Sequence, residues 1–110
     1  GGIIMKNIFL FCDAGMSTSL LVTKMREVAT KHNVNVNIEA LPFAKSFETL
    51  NEKQVDCVLL GPQVKFLLKD IEGPCKEKNI PVDVINAADY GTMNGEKVLK
   101  QAIKMIRANQ

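Results

Sequence analysis

Aromatic residues are scarce in this chain, at 5%, and tryptophan is absent. No basic run is interleaved with aromatics, and the net charge is only +2, so nothing in the sequence suggests a nucleic-acid partner. Cysteine is present three times, at Cys12, Cys57 and Cys75, but never as a C-x-x-C pair. An odd count without a secretory signal argues for reduced thiols in a cytosolic protein. Lys6 followed by Ile8-Phe9-Leu10-Phe11 resembles the start of a signal peptide, but Asp13 ends that apolar run too early for a signal or a membrane span. Internal repeats, low-complexity stretches and long linkers are also missing.

What remains is an ordinary globular composition. The 110 residues are 46% apolar and 24% charged. A chain of this size forms one domain that hides roughly two-thirds of its unfolded surface. Gly1-Gly2-Ile3-Ile4 precede Met5 and read as an added remnant, with Met5 as the native start and residues 5–110 as the single domain.

The apolar pattern alternates between two periods. Ile8 to Cys12 reads as a buried strand. Ser17 to His32 has Leu20, Leu21, Met25, Val28 and Ala29 at helical spacing. Val34 to Leu41 alternates Val34, Val36, Ile38 and Ala40 with polar residues, which predicts a strand at a sheet edge. Pro42 breaks the chain, and Phe43 to Lys53 reads as a helix with Phe43, Phe47 and Leu50 inward. Val55 to Leu60 is a buried strand stopped by Gly61-Pro62, and Gln63 to Lys78 is helical with an interruption expected at Gly73-Pro74. Ile80 to Ile85 is the fourth strand. The last helix runs from Asn94 or Gly95 to Ala108, with Val98, Leu99, Ala102, Ile103 and Ile106 on one face.

Such β-α alternation predicts an α/β fold, a four-stranded parallel open sheet with helices on both faces. Right-handed crossovers and the half-polar second strand favour the order 2-1-3-4. That order sets the carboxyl ends of strands 1 and 3 side by side at a switch point, where open α/β sheets bind ligands.

Strand 1 ends at Cys12, and Asp13-Ala14-Gly15-Met16 lead into Ser17-Thr18-Ser19 at the start of a helix. A helix amino end leaves unpaired N–H groups and a partial positive charge that favours an anion, and thiolate over thiol. Gly15 permits the backbone angles of an anion-holding nest, and the three hydroxyls can cap the helix or donate to phosphate. The same residues also admit plainer roles: a buried apolar cysteine, a turn glycine, an N-cap serine.

The stretch Phe11-Cys12-Asp13-Ala14-Gly15-Met16-Ser17-Thr18-Ser19-Leu20-Leu21-Val22 closely resembles the active-site loop of enzyme IIB proteins of the lactose/cellobiose class of the bacterial phosphotransferase system. The resemblance continues through Leu59-Leu60-Gly61-Pro62-Gln63-Val64 and Tyr90-Gly91, in order along nearly the whole chain. It implies a fold like that of low-molecular-weight tyrosine phosphatases and a cytoplasmic phosphoryl carrier. A phosphohistidine on a IIA protein would pass its phosphoryl group to Cys12, and Cys12 would pass it to a sugar imported by the membrane IIC permease. It further implies a phosphate loop of Asp13 to Ser19, with Gly61, Pro62, Gln63, Tyr90 and Gly91 on neighbouring loops. No metal or organic cofactor is indicated, and a monomer that docks transiently is the simplest expectation. One residue departs from the pattern: the position after the cysteine is usually small and uncharged in that family, and here it is Asp13. Beside a thiophosphate it should face away, toward a partner's basic surface.

Two other functions compete. A phosphatase of the same fold needs an arginine six positions after its cysteine to hold phosphate bidentately, and that position is Thr18. The only arginines are Arg26 and Arg107, and Asp89 is the one candidate for a late acid. A phosphoaspartate signalling domain would need an acidic magnesium pocket, for which Asp13 and Asp56 are candidates. Elsewhere, Cys57 reads as core, Cys75 as partly exposed, His32 as a surface cap at a helix end, Met16 as a filler or partner contact, and Lys24, Arg26 and Lys31 as a solvated basic stripe.

Overall fold

A computed structural model describes residues 5–13 and 16–110, with the side chains of Met16 and Ser17 outside that description. Gly1 to Ile4, read above as a remnant, and Ala14 and Gly15 of the predicted phosphate loop lie outside the described residues. The strands are β1 (Lys6–Cys12), β2 (Val36–Pro42), β3 (Cys57–Leu60) and β4 (Val82–Val84). The α-helices are α1 (Met16–Lys31), α2 (Ser46–Glu52), α3 (Leu68–Glu77), α4 (Ala87–Gly91) and α5 (Gly95–Ala108). All the strand pairings are parallel, and the sheet order is β2-β1-β3-β4, as the pattern predicted.

The two sheet faces sort the core. Ile8 and Leu10 of β1, with Cys57 and Leu59 of β3, pack under Leu21, Met25 and Ala29 of α1 and Val98, Leu99, Ala102 and Ile106 of α5. Phe9, Phe11, Val58 and Leu60 point the other way, toward Leu50 of α2 and Ile71 and Cys75 of α3. Each strand residue therefore takes its face from its parity, because successive side chains point to opposite sides. Burial on both faces is why β1 and β3 read as continuous apolar runs, while β2 keeps exposed Asn37 at an edge.

Several expectations need correction. Leu20 is half exposed, because the buried stripe of α1 runs through Thr18, Leu21, Val22, Met25 and Ala29, and Leu20 sits about 100° away from Leu21 around the helix. Phe47 is also exposed. A 3-10 turn at Phe43–Lys45 delays the α-helix until Ser46, so the inward positions become Ser46, Thr49 and Leu50. Phe47 instead rests edge-to-face on Phe43, with centroids 5.9 Å apart. A 3-10 turn at Pro62–Leu67 precedes α3, which then runs unbroken through Gly73-Pro74. Gly73 lacks the Cβ that a proline ring crowds, which eases one penalty, although Pro74 still offers no N–H to the Asp70 carbonyl. Ile71 and Cys75, both fully buried, hold the turns on either side. The short helix α4 had no periodicity to announce it; the Asn86 side chain caps it by accepting from the N–H groups of Ala88 and Asp89 at 3.0 and 3.1 Å.

His32 lies exposed just beyond α1, as expected of a helix end. The cap itself is made by Asn33, which adopts φ 55° so that the Val34 N–H reaches the Ala29 carbonyl at 2.8 Å. Arg26 is not simply part of a solvated stripe: its Nε and Nη2 both donate to the Ile38 carbonyl of edge strand β2. A guanidinium thus covers a backbone group that an edge strand would leave open.

Candidate functional site

Cys12 is the last residue of β1 and is 1% exposed. By parity its side chain lies on the α1 side of the sheet, and α1 begins at Met16, with no acidic residue in its first turn. The Gly61 N–H donates to the Phe11 carbonyl at 2.9 Å, carrying the β1–β3 pairing one step past the end of β3. This brings Gly61 against the cysteine. A Cβ added to Gly61 would stand 3.3 Å from the Cys12 Cβ and 2.7 Å from the Gln63 Oε1. Glycine permits this close approach, while its φ of −60° is open to any residue.

The three quoted sequence segments meet at this end of the sheet. Thr18, in the first turn of α1, is fully buried, and its Oγ1 lies 3.2 Å from the Tyr90 hydroxyl. Gln63 Nε2 donates to the same hydroxyl at 2.9 Å. Tyr90 is on α4 rather than in a loop. Gly91 ends that helix with open space around it, so no contact demands glycine there. Pro62 opens the 3-10 turn that carries Gln63. Asp13 is exposed, and Ser19 is exposed with its carbonyl accepting from the Thr23 hydroxyl at 3.2 Å. The sequence named Thr18, Gln63 and Tyr90 separately; their connection through one hydroxyl was not legible, because Tyr90 is 72 residues from Thr18.

The remaining candidates fall away from this point. Asp56 accepts from the Asn7 N–H at 2.8 Å, at the amino end of β1. Cys12 is at the other end of that strand, roughly 17 Å away at about 3.3 Å per residue, so Asp56 and Asp13 cannot share a magnesium pocket. Asp89 lines a groove with Lys97, Lys100 and Gln101 beside β4. Arg26 is committed to the Ile38 carbonyl, and Thr18 occupies the place of a phosphatase arginine. Among the described residues no cluster of potential metal ligands occurs.

No disulfide joins the three cysteines, all of which are buried. Cys75 is fully buried rather than partly exposed, and burial raises its pKa to about 11. Burial, reinforced by the nearby charges of Asp56 and Asp83, pushes Cys57 up to about 12, which fits its expected core role.

Fold and site together define a class: an α/β domain of the low-molecular-weight phosphatase type, with a cysteine at the switch point and without the phosphatase arginine. Comparison with known proteins makes the assignment specific. Residues 7–101 match the family model described as the lactose/cellobiose-specific IIB subunit of the phosphotransferase system. The chain is 40% identical over 102 residues to the oligo-beta-mannoside-specific EIIB component of Bacillus subtilis (strain 168), covering 93% of this chain and 97% of that one. It is also 40% identical over 104 residues to the galactose-specific EIIB component of Lactococcus lactis subsp. cremoris, covering 88% and 93%. The solution structure of the cellobiose-specific IIB component of Borrelia burgdorferi superposes with a TM-score of 0.80 at 44% identity, over 99% of this chain and 98% of that one. The lactose-specific IIB domain of Streptococcus pneumoniae, at 14% identity and TM-score 0.82, covers 93% and 98% and confirms the fold.

The chain belongs to the lactose/cellobiose-specific IIB family of the phosphotransferase system. It is a phosphotransferase, a phosphoryl carrier in sugar uptake, and its family works with IIA and IIC components. Among the described residues no helix is long and apolar enough to cross a membrane.

Proposed function

We propose that Cys12 carries the phosphoryl group, within a single IIB domain spanning residues 5–110. The observation that carries this reading is its place at the carboxyl end of β1, against Gly61 and four residues ahead of Met16, where α1 begins. The donor is a phosphohistidine on a IIA protein. The Cys12 thiolate attacks phosphorus, the S–P bond forms, the P–N bond breaks, and the imidazole nitrogen keeps the electron pair. A sugar hydroxyl oxygen then attacks the same phosphorus. The O–P bond forms, the S–P bond breaks and regenerates thiolate, and the hydroxyl proton passes to solvent.

The protein supplies alignment and charge stabilisation rather than a cofactor. The phosphoryl group brings roughly −1.5 to −2 charges, judged from other phosphorylated side chains. N–H groups at the amino end of α1, with the segment from Asp13 to Ser19, meet that charge. Because Cys12 is buried, its sulfur must be uncovered when a donor docks. The acceptor is a β-linked disaccharide delivered by the IIC permease, in keeping with relatives named for cellobiose and oligo-β-mannosides. The protein acts in the cytoplasm as a monomer that docks transiently, reaching the membrane through IIC.

The test is intact-mass and peptide analysis after incubation with phosphoenolpyruvate, the general phosphotransferase proteins and a IIA partner. One added phosphoryl group on Cys12, absent in Cys12→Ser, establishes the reading. A phosphoryl group on another residue, or none with several active IIA partners, overturns it.

A further inference from the structure

We infer that Tyr90 is a positioning residue for phosphoryl transfer, a strut that fixes the first turn of α1 relative to the cysteine. The inference rests on the reading that Cys12 carries the phosphoryl group. Its own evidence is geometric. The Tyr90 hydroxyl is held at 3.2 Å by Thr18 Oγ1 and at 2.9 Å by Gln63 Nε2. Thr18 belongs to the first turn of α1, the turn to which the proposed function assigns the phosphoryl group, and it is fully buried, so this turn has a fixed polar anchor. Gln63 belongs to the turn after β3, and its Oε1 abuts Gly61, which in turn abuts Cys12. One hydroxyl therefore ties the anion-binding turn to the strand end beside the nucleophile, bridging separations of 72 and 27 residues along the chain.

The ring of Tyr90 does a separate job. It packs against the core shared by α1 and α5, alongside Met93. Tyr90→Phe therefore removes the strut while leaving the packing in place. Misplacing catalytic groups by small distances lowers the rate of an aligned transfer far more than it weakens docking. Without the strut, the α1 turn has more freedom relative to Cys12, and the loss belongs in the transfer step.

The experiment is single-turnover transfer from a phosphorylated IIA protein to this protein, measured against IIA concentration for the wild type, Tyr90→Phe, Gln63→Ala and the double variant. The expected result is a roughly tenfold lower saturating rate for Tyr90→Phe, at unchanged half-saturating IIA, as befits loss of a hydrogen bond that aligns the transfer. Gln63→Ala should give a smaller loss, and the double variant should lose no more than Tyr90→Phe alone, because both act through one hydroxyl. Amide exchange at Val22, whose N–H pairs with the Thr18 carbonyl in the first turns of α1, should quicken in Tyr90→Phe while exchange in β1 and β3 stays slow. Wild-type rate in Tyr90→Phe overturns the inference alone, as does a loss confined to half-saturation, which would make Tyr90 a contact of IIA. Failure of the wild type to be labelled on Cys12 overturns the reading of the cysteine and this inference with it.

Discussion

Cys12 and Cys57 lie on neighbouring strands, on the same side of the sheet, and both are almost completely buried. Their surroundings differ in one respect. Cys57 begins β3 at the amino end of the sheet, under α5, with its Sγ 4.0 Å from the Met105 Sδ. Cys12 ends β1 at the carboxyl end of the sheet, before helix α1, with Gly61 packed closely beside it. Burial alone thus separates nothing in this protein. The end of the strand on which a thiol falls decides whether a helix amino end or an apolar layer meets it.

The sharpest way to break this contrast is to exchange the two thiols' fates. Cys57→Ala should keep phosphoryl transfer to Cys12 within about twofold, while Cys12→Ser loses it entirely, since the proposed function rests on the Cys12 thiolate as nucleophile. Labelling that survives Cys12→Ser and vanishes in Cys57→Ala would reverse the assignment. Intact mass of each variant after the donor reaction reads the result.

The contrast also predicts a pH dependence. Cys57 is raised from 9.0 to about 12 in the folded protein, and Cys75 to about 11. Above pH 9 the unfolded chain therefore releases these protons more readily than the folded one, so the native state binds more protons and stability falls as pH rises. The loss should run from about pH 9, near the ordinary thiol value, up toward pH 11 to 12. Denaturant midpoints across this range should decline less steeply in Cys57→Ala. Equal slopes in the wild type and the variant would show that Cys57 is not buried as described.

Much of this was legible in the sequence. The β-α alternation, right-handed crossovers and the half-polar β2 pointed to the sheet order, and the long motif around Cys12 pointed to the family. What was not legible depended on side chains meeting across the chain. Thr18 reads as a cap or a phosphate donor until Tyr90 is seen beside it. Arg26 reads as solvated until the edge carbonyl of Ile38 is in view. Phe47 reads as core because a periodic template cannot foresee the 3-10 turn that shifts the start of α2. Gly73-Pro74 reads as a break because proline ordinarily ends a helix, and the buried neighbours Ile71 and Cys75 that hold the turns on either side are not visible in the sequence.

The two glycines of the supporting motifs sharpen the comparison on a smaller scale. Gly61→Ala would push a methyl group against Cys12 and Gln63, costing about 1–3 kcal/mol by overpacking and slowing transfer about tenfold if the cysteine shifts. Gly91→Ala meets open space at the end of α4. It should change stability by no more than about 0.5–1 kcal/mol, in the stabilising direction through reduced freedom of the unfolded chain. Thermal unfolding and transfer kinetics of the pair test this; similar losses in both would mean that closeness to Cys12 is not what requires glycine at Gly61.

The smallest effect belongs to Asp13, the residue that departs from the family's usual small neighbour. It is exposed, where its carboxylate is accessible to a docking partner. An exposed acidic group at the rim of a protein contact acts chiefly on association and its salt dependence. Asp13→Ala should therefore weaken docking of a basic partner by about two- to fivefold, as an exposed ion pair allows, with the saturating transfer rate unchanged. The difference should fade as ionic strength rises, because exposed charges are screened over about 10 Å at 0.1 M salt. A rise in the saturating rate on removing Asp13 would instead place its charge against the phosphoryl group, on the cysteine side of the contrast rather than the partner side.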